Sequence, residues 1–324
     1  MVIPDPIYGQ IKITEPVLAE LIQSSAMQRL KGVDQNVTVN LIPVPWKPFS
    51  RFDHSVGVMH LIKLLGGNLE EQTAGLLHDI SHTAFSHAVD FVFDQAMTQE
   101  FHEEHLVRII TRSDIPAILH TYNFDVQRIT NHHNFSILEQ ELPALCADRI
   151  DYALKTFYSN DLIPVGQIKQ FLDFLKIHAD RIVFDHLESA KTFSLLFMKA
   201  ENLVWGGSAR ANLAYHFFSQ TAKSAYQRGI VTLDDFFTTD KKFLNKLDDI
   251  AKTELLKLRQ IKFIEVEPGQ PYDLNIKAKI RYVDPPVLTG SRLANLSEID
   301  KDFQAQLTHF LERRKAGNYV KILK

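Results

Sequence analysis

Two histidines and two aspartates are spaced so that neighbouring helices could bring them around one metal ion. His54 lies in the segment 51–58, His78 and Asp79 are adjacent in the next segment, and Asp148 lies further downstream. Two imidazoles and two carboxylates suit a divalent transition metal (Fe, Mn, Zn, Co or Ni) and are too rich in nitrogen for a dedicated Ca²⁺ or Mg²⁺ site. We therefore predict His54, His78, Asp79 and Asp148 as ligands of one such ion, with Mg²⁺ expected only on the phosphates of a substrate.

Histidine is concentrated in one part of the chain. Ten of the 14 histidines lie between residues 54 and 133, and histidine is the side chain that most readily exchanges protons near neutral pH. His82, His87 and His102 are not needed as metal ligands, and with Asp90 they could donate a proton to a leaving oxygen. We predict these four side chains, together with Arg51, as the catalytic group.

Positive side chains accompany the same segments. Arg51 opens the segment with the first predicted ligand, and Arg149 follows Asp148, so both guanidinium groups could neutralise a phosphate. Lys155 is a third candidate. Tyr152 comes one helical turn after Asp148 and is expected to face the same cavity. The predicted substrate is therefore an anionic phosphate ester.

Three helices must position these groups. Ser50 and Asp53 have the spacing of a capping box, which predicts a helix that runs to the glycine pair at 66–67. Asn68 and Glu71 start a second helix in the same way, which brings the His-Asp pair to its far end. A third helix carries the downstream aspartate.

The remaining pattern is mainly helical and changes near residue 260. Apolar residues at helical spacing predict helices, and alternating residues predict strands. The third metal helix is predicted over 139–158, and the other predicted helices are 15–31, 99–112, 114–122, 125–133, 166–177, 187–204, 208–228 and 298–314. The predicted extended segments are 1–14, 37–42, 262–267, 276–283 and 319–323, and residues 80–87 are expected to be irregular.

These elements predict a mainly α-helical fold, a helical bundle with a small C-terminal α+β appendage. Residues 1–160 would form the metal-binding catalytic core, and residues 161–255 a helical extension that completes the substrate cavity. Residues 256–324 would form the small α+β part. A length of 324 residues fits one large domain with such an appendage.

Composition narrows the partners and the compartment. The chain has 45% hydrophobic and 23% charged residues, a formal net charge of −3 and a pI near 6.5, so it lacks the basic excess typical of nucleic-acid-binding proteins. Cys146 is the single cysteine, which suits a reducing compartment. The sequence has neither an apolar run of membrane-spanning length nor an N-terminal signal pattern. We expect a cytoplasmic protein that binds neither membranes nor nucleic acid.

Several motifs occur in the order and spacing of a known superfamily. They are 5–9 (Asp-Pro-Ile-Tyr-Gly), 27–30 (Met-Gln-Arg-Leu), 51–57 (Arg-Phe-Asp-His-Ser-Val-Gly), 74–79 (Ala-Gly-Leu-Leu-His-Asp), 85–87 (Phe-Ser-His) and 148–152 (Asp-Arg-Ile-Asp-Tyr). Over its first half the chain resembles the HD-domain phosphohydrolase superfamily, in the branch of dNTP triphosphohydrolases. The resemblance implies the HD-domain helical bundle and one transition metal on the four predicted ligands. In that branch water attacks the α-phosphate and releases a nucleoside and triphosphate.

The resemblance also implies roles for residues around the metal. Arg51 would contact the reacting phosphate, and Arg149 would take the place of a phosphate-binding lysine. Gln35 would contact the deoxyribose, and Tyr152 would pack on the sugar. The group for proton transfer and phosphate binding would consist of His82, His87 and His102, supported by Asp90 and Glu103. Homo-oligomers, dimers or larger, are expected on the same ground.

Departures from the superfamily pattern leave alternatives open. Residues 80–84 read Ile-Ser-His-Thr-Ala, so this loop lacks two glycines and a proline of the relatives and has less backbone freedom. Residues 203–210 do not match their tyrosine-rich helix, and Gln23 and Lys31 replace residues of their nucleotide-activated site. The prediction is a metal-dependent phosphohydrolase of a nucleotide, with a (deoxy)nucleoside triphosphate favoured. The alternatives are a nucleotidase or phosphodiesterase, and a non-catalytic module that senses a metal or a nucleotide.

Overall fold

Helices dominate the computed structural model, which describes residues 1–36, 41 and 47–323, and three small sheets are present within that part. None of the helices in these ranges has the length and apolar character needed to cross a bilayer. The helices are α1 (Pro16–Gln23), α2 (Ser25–Arg29), α3 (Arg51–Leu64), α4 (Leu69–Leu77), α5 (Ala88–Val92), α6 (Phe101–Glu104), α7 (Leu106–Thr111), α8 (Ile115–Thr121), α9 (Val126–Thr130), α10 (Ala147–Ser159), α11 (Val165–Asp173), α12 (Leu187–Leu203), α13 (Ala209–Gln227), α14 (Leu233–Phe236), α15 (Asp240–Lys246), α16 (Asp249–Leu258), α17 (Leu296–Ile299) and α18 (Lys301–Ala316), with 3₁₀ helices at Leu30–Gly32 and His132–Asn134. The strands are β1 (Val2–Asp5), β2 (Gly9–Lys12), β3 (Leu175–His178), β4 (Arg181–Phe184), β5 (Lys262–Glu265), β6 (Leu274–Ile276), β7 (Pro286–Thr289), β8 (Arg292–Asn295) and β9 (Asn318–Leu323).

Helix α3 lies at the centre of the first half of the chain. The predicted capping box starts it: the Asp53 backbone N–H donates to the Ser50 hydroxyl at 3.2 Å, and the Ser50 N–H donates to the Asp53 carboxylate at 2.9 Å. Side chains on all sides of the helix are buried, among them Phe52, Val56 and Met59. Because α4 packs on one side and α10 on another, α3 is the common neighbour of the segments that carry the predicted ligands.

Helix α4 brings the His-Asp pair to its C-terminal end, as predicted. It starts where Asn68 accepts a hydrogen bond from the Glu71 backbone N–H at 2.9 Å, and it ends at Leu77. The Glu71 carboxylate accepts in turn from the Ile137 backbone N–H at 2.8 Å, which ties the approach to α10 against α4. Residues 78–87 then turn without regular structure, as the sequence indicates.

The C-terminal segment is built into the body of the fold. Strand β7 pairs in parallel with β4 at Val287 and Phe184, so the sheet β3–β4–β7–β8 combines strands from the predicted second and third parts. Val283 and Phe303 lie in the apolar core around α3 and α10, whereas Val320 lies in a second core around α13 and α16. The division at residues 160 and 255 stays a prediction, and the last part contributes side chains to both cores.

Two predicted element boundaries in the cavity wall are wrong. The helix predicted over 139–158 begins at Ala147, because Pro143 lacks an N–H and pushes the preceding residue out of the helical region. The strand predicted over 276–283 ends at Ile276, and residues 277–285 continue without strand pairing. The apolar and charged residues of this segment alternate because it runs between an apolar core on one side and a cavity on the other.

Other differences concern short elements. The helix predicted over 15–31 is interrupted at Ser24, whose hydroxyl accepts from the Met27 N–H at 3.3 Å and starts α2. The sequence analysis missed β3, β4, β7, β8 and the helices α14 to α16, all of which are short and lack a long periodic pattern. The extended segment predicted over 37–42 lies outside the described residues apart from Leu41.

Gly57 allows α3 and α10 to approach each other closely. A Cβ atom at this position would lie 2.0 Å from Asp151 Oδ1 and 2.0 Å from Lys155 Nζ, which are buried partners on α10. Only a residue without a side chain therefore leaves room for this ion pair.

We predict that Gly57→Ala lowers the free energy of unfolding by about 2–3 kcal/mol, because the added methyl group forces the buried pair apart. Urea denaturation followed by circular dichroism measures the change. Gly166→Ala in α11 is the control, since its Cβ would meet nothing within 4 Å and is expected to be neutral or slightly stabilising. Equal losses in the two variants would contradict the prediction.

Candidate metal centre

Predicted ligands from three helices converge at the base of a cavity. His54 comes from the first turn of α3, His78 and Asp79 from the end of α4, and Asp148 from the first turn of α10. His54 Nε2 lies 2.9 Å from Asp148 Oδ1 and 3.7 Å from Asp79 Oδ2. His78 Nε2 lies 3.4 Å from the same Asp148 oxygen. The spacing seen in the sequence therefore corresponds to a cluster in space.

The donor atoms of this cluster fit a metal ion. Ligand atoms of His54, His78 and Asp148 all lie within 4.8 Å of one another. His78 Nδ1 lies 2.8 Å from the Gly75 carbonyl and so carries the proton, which leaves Nε2 facing the other ligands. This buried Nε2 has no hydrogen-bond partner among the described residues, an arrangement that is costly unless an ion satisfies it. Imidazole nitrogen and carboxylate oxygen are donors that divalent transition metals accept.

Asp79 stands between the metal cluster and a second group of imidazoles. Its Oδ1 lies 3.5 Å from His78 Nε2 and 3.3 Å from His82 Nε2, and its Oδ2 accepts from Arg51 at 2.7 Å. Asp79 also forms a close group of candidate ligands with His82 and His102. The carboxylate is thus within reach of both groups, and its assignment as a metal ligand stays a prediction.

A buried hydrogen-bond network fixes His54 on the Nδ1 side of its ring. Asp151 Oδ2 lies 2.7 Å from His54 Nδ1, and Asp151 Oδ1 accepts from Lys155 at 2.6 Å and from the Tyr8 hydroxyl at 2.9 Å. Lys155 also lies 3.3 Å from Asp5. The carboxylate keeps the proton on His54 Nδ1 and leaves Nε2 free to bind an ion, as carboxylates behind metal-binding histidines commonly do. Lys155 therefore serves this network and does not line the cavity.

The three histidines predicted for proton transfer lie together. The rings of His82 and His102 stack with centroids 3.7 Å apart, and the His87 ring meets them edge-on at 5.0 and 5.6 Å. His87 Nδ1 lies 2.9 Å from Asp90 Oδ2, while the other Asp90 oxygen accepts from the Phe101 backbone N–H at 3.2 Å. The structure thus brings together all four residues that were predicted with Arg51 as the catalytic group.

Burial sets the protonation of these groups. Burial and the nearby Arg51 lower the pKa of His82 to about 4, and burial with Arg281 lowers the pKa of His87 well below its usual range. Burial raises the pKa of the Asp90 carboxyl to about 7. His82 and His87 are therefore neutral at neutral pH in the absence of a ligand.

In the metal cluster, unlike at His82 and His87, the acids stabilise a protonated imidazole. Burial alone would raise the pKa of the Asp148 carboxyl, but the hydrogen bond from His54 and the nearby His78 imidazole hold it well below its usual range. Burial likewise disfavours charge on His78, but Asp79 and Asp148 outweigh it and raise the pKa of His78 to about 9. A metal ion entering this cluster must displace protons from the imidazoles, so binding is expected to release protons.

Two residues of the glycine-free loop 80–87 adopt a left-handed backbone conformation. Phe85 and Ser86 have positive φ values of 61° and 46°, a region that non-glycine residues enter at a cost. The Phe85 backbone N–H donates to Asp240 at 2.8 Å, which holds the loop against α15. Ser86 accepts from Arg51 Nε at 3.0 Å, so the loop orients the predicted catalytic arginine.

The predicted substrate-binding residues line a cavity of about 330 Å³ above the metal cluster, within the usual size range of ligand sites. Gln35 Oε1 is buried there without a hydrogen-bond partner in the described part of the chain. Tyr152 packs edge-on against Trp205 with ring centroids 5.1 Å apart. Arg149 also lines the cavity, but it donates to two backbone carbonyls of the 139–146 loop at 2.6 and 3.1 Å. Much of its hydrogen-bonding capacity is therefore used by the wall itself.

Sequence reasoning missed the cavity residues that come from the second half of the chain. Trp205, Tyr215, Lys279 and Arg281 all line the cavity. Alternating charges in the segment of Lys279 and Arg281 resemble the solvent face of a strand, so the sequence contains no signal that they point inwards. These residues reach the site only because the second half of the chain packs against the first.

The chain matches known proteins in sequence and in fold. The HD domain family matches residues 51–154. YdhJ, an uncharacterized protein of Bacillus subtilis (strain 168), is 35% identical over an alignment of 332 residues that covers 100% of both chains. The metal-dependent phosphohydrolase cns2 of Cordyceps militaris is 31% identical over 298 residues, which cover 89% of this chain and 85% of cns2. A solved phosphohydrolase of Bacteroides thetaiotaomicron has the same fold, with a TM-score of 0.67 over 99% of both chains at 16% identity.

We predict that Asp148→Ala and His78→Ala each lose bound metal while keeping the helical content, because each removes a donor from a cluster built on three separate helices. Metal per chain after loading with Mn²⁺ or Fe²⁺, measured by mass spectrometry, tests this beside circular dichroism. His120→Ala, an exposed histidine outside the cluster, is the control and should retain metal. Stoichiometric, tightly bound metal in Asp148→Ala would refute that ligand.

We predict that Asp151→Asn weakens metal affinity by about 10- to 100-fold, because the amide no longer fixes the His54 proton as the carboxylate does. Competition with a chelator measures the affinity. Tyr8→Phe is the matched comparison, since it removes a contact to the other Asp151 oxygen and should cause a smaller loss. Wild-type affinity in a folded Asp151→Asn protein would show that the network is only structural.

Proposed function

Because the chain belongs to the HD-domain phosphohydrolase superfamily, whose members are metal-dependent hydrolases, we propose that it hydrolyses a nucleotide. The favoured substrate is a (deoxy)nucleoside triphosphate, and the phosphate product is triphosphate. The observation that carries this proposal is the convergence of His54, His78 and Asp148 with Arg51 and three further imidazoles at the base of one cavity. Metal donors, a guanidinium group and proton carriers are the groups that hydrolysis of a phosphate ester requires.

His54, His78 and Asp148, with Asp79 beside them, would hold the divalent transition metal. When bound, such an ion polarises a phosphate oxygen and lowers the pKa of water at the site. Fe, Mn, Zn, Co and Ni all match the donor set, and any Mg²⁺ would accompany the phosphates of the substrate.

Arg51 would neutralise the reacting phosphate. It is buried, and its ion pair with Asp79 at 2.7 Å and its hydrogen bond to Ser86 at 3.0 Å hold the guanidinium before a substrate arrives. A donor that is already oriented stabilises developing charge without the cost of reorganisation. His82 and His102, which burial keeps neutral, suit hydrogen bonding to the same phosphate.

The His87–Asp90 pair would supply the proton for the leaving group. Water forms a bond to the α-phosphorus, the bond to the 5′ oxygen breaks, and that oxygen leaves as a hydroxyl once it receives a proton. His87 has its Nδ1 beside Asp90, and about a fifth of its side chain (20%) is exposed on the cavity side. Burial raises the pKa of Asp90 to about 7, so its carboxyl can pass a proton to Nδ1 while the other ring nitrogen of His87 gives its own proton to the 5′ oxygen.

The other cavity walls suit a nucleoside. Tyr152, Trp205 and Tyr215 offer aromatic surface for a sugar or a base. Gln35 brings a buried oxygen that can accept a hydrogen bond from a sugar hydroxyl. The preference for deoxyribose is expected to be modest, and assembly as a homo-oligomer remains a prediction from the resemblance.

A nucleotidase or phosphodiesterase is the second candidate. Arg149 favours it, since the loop carbonyls occupy much of the guanidinium that would otherwise bind a further phosphate. A module that binds metal and nucleotide without turnover is the third. These candidates differ in their products, so one experiment separates them.

We predict that protein loaded with Mn²⁺, Fe²⁺ or Co²⁺ converts dNTPs and NTPs to nucleoside and triphosphate, and acts less well on dNMPs and dinucleotides. Anion-exchange separation of triphosphate, pyrophosphate and orthophosphate identifies the bond that is cleaved, and Asp148→Ala is the inactive control. Release of orthophosphate or of a nucleoside monophosphate alone would favour the second candidate. Absence of any cleavage, with metal shown to be bound, would favour the sensing module.

A further inference from the structure

Residues 277–285 form a strap along one wall of the cavity. Ala278 and Val283 are buried in the body of the fold. The Asp284 carboxylate accepts from the Ser297 backbone N–H at 2.9 Å and from its hydroxyl at 2.6 Å, and the Asp284 N–H donates to a carbonyl of the 139–146 loop at 3.1 Å. The buried residues and Asp284 therefore anchor the strap. They fix the orientation of its side chains although the segment pairs with no strand.

Two cations of the strap line the cavity. Lys279 donates to the Thr98 carbonyl at 3.1 Å, and the Arg281 guanidinium donates to the side-chain oxygen of Gln99. Both partners are neutral. No carboxylate of residues 1–36, 41 and 47–323 lies within ion-pairing distance of either cation. The positive charge of the strap is therefore not compensated by a direct partner.

The other arginines of the cavity differ in this respect. Arg51 is paired with Asp79 at 2.7 Å, and Arg149 lies 3.5 Å from Glu139. Burial and the neighbouring Arg281 lower the pKa of Lys279, as expected for two cations that share one wall. Glu103 and Glu139 line the same cavity and act on Lys279 from a longer distance, but neither forms an ion pair with it. Two like charges without a direct acidic partner are suited to an anion supplied from outside.

The position of the strap relative to the metal cluster suggests which anion. Asp79 lies 3.3 Å from His82, and the His87 ring lies 5.0 Å beyond the His82 ring. Arg281, held by Gln99, lines the same cavity as His87 and His82. A substrate whose reacting phosphate lies at the metal cluster would thus have room in this cavity to place a further anionic group against the strap.

We propose that Lys279 and Arg281 form a subsite for a second phosphate of the substrate, further along the phosphate chain than the reacting one. The inference rests on the proposed function, since it places the reacting phosphate at the metal cluster. It restricts the preferred substrates to compounds with at least two linked phosphates. It also assigns the recognition of chain length to the C-terminal strap.

Inorganic phosphates test the subsite without turnover of a nucleotide. Calorimetry with metal-loaded protein should show that tripolyphosphate binds at least about tenfold more tightly than orthophosphate, since each charge-assisted contact contributes about this factor. Lys279→Gln and Arg281→Gln should each weaken tripolyphosphate binding by about 10- to 100-fold and orthophosphate binding much less. Lys277→Gln, an exposed lysine of the same strap outside the cavity, is the matched control and should bind like the wild type.

Each outcome of this experiment decides the proposal. Equal tripolyphosphate affinity in the wild type and in either folded variant, Lys279→Gln or Arg281→Gln, would overturn it. Equal losses for tripolyphosphate and orthophosphate would also overturn it, because they would place both anions at one position. Binding of tripolyphosphate that depends on the strap, in a protein that hydrolyses no nucleotide, would support the subsite and contradict the proposed function alone.

Discussion

The structure depends on how His54 is held. Both ring nitrogens of this fully buried histidine meet carboxylates of α10, Asp151 at 2.7 Å and Asp148 at 2.9 Å. The Asp151 carboxylate is fully buried and needs compensation, because an uncompensated buried charge costs several kcal/mol. Lys155 provides it for Asp151, which brings α10 so close to α3 that only Gly57 fits between them. The hairpin β1–β2 is drawn in as well, since Asp5 follows as a second partner of Lys155. One imidazole thus sets the spacing of the central helices.

The cavity divides into two halves of different charge. Around His54 the acids outnumber the cations, and the imidazoles near them take up protons when no ion is present. On the strap, Lys279 and Arg281 form no ion pair with a described carboxylate, and their hydrogen-bond partners Thr98 and Gln99 are neutral. A divalent cation would reverse the balance of the first half, so both ends of the cavity would then attract anions. An extended phosphate chain matches such a surface better than a single phosphate does, because each end of the chain would find a positive partner.

The parts that sequence reasoning predicted correctly are those with local causes. The capping box of Ser50 and Asp53, the cap of Asn68 and the turn after α4 each depend on a few neighbouring residues, and the chain keeps them. The parts it missed depend on distant partners. Val287 becomes a strand residue through parallel pairing with Phe184, and the 277–285 strap lines the cavity because Asp284 binds α17 and the loop before α10. Period-two alternation cannot distinguish a strap between core and cavity from a strand between core and solvent.

The loop 80–87 links the metal half of the site to the second core. Phe85 and Ser86 hold positive φ values where glycine would be easier, at a cost of about 1 kcal/mol each. Packing offsets this cost, since the Phe85 ring lies 4.4 Å from Phe218 of α13 and its backbone N–H is bound by Asp240 of α15. The conformation that orients Arg51 through Ser86 is therefore imposed by helices that carry no predicted ligand. It follows that the second half of the chain shapes the chemistry as well as the specificity, and that residues 1–160 without α13 and α15 would keep the ligands but lose the support of this loop.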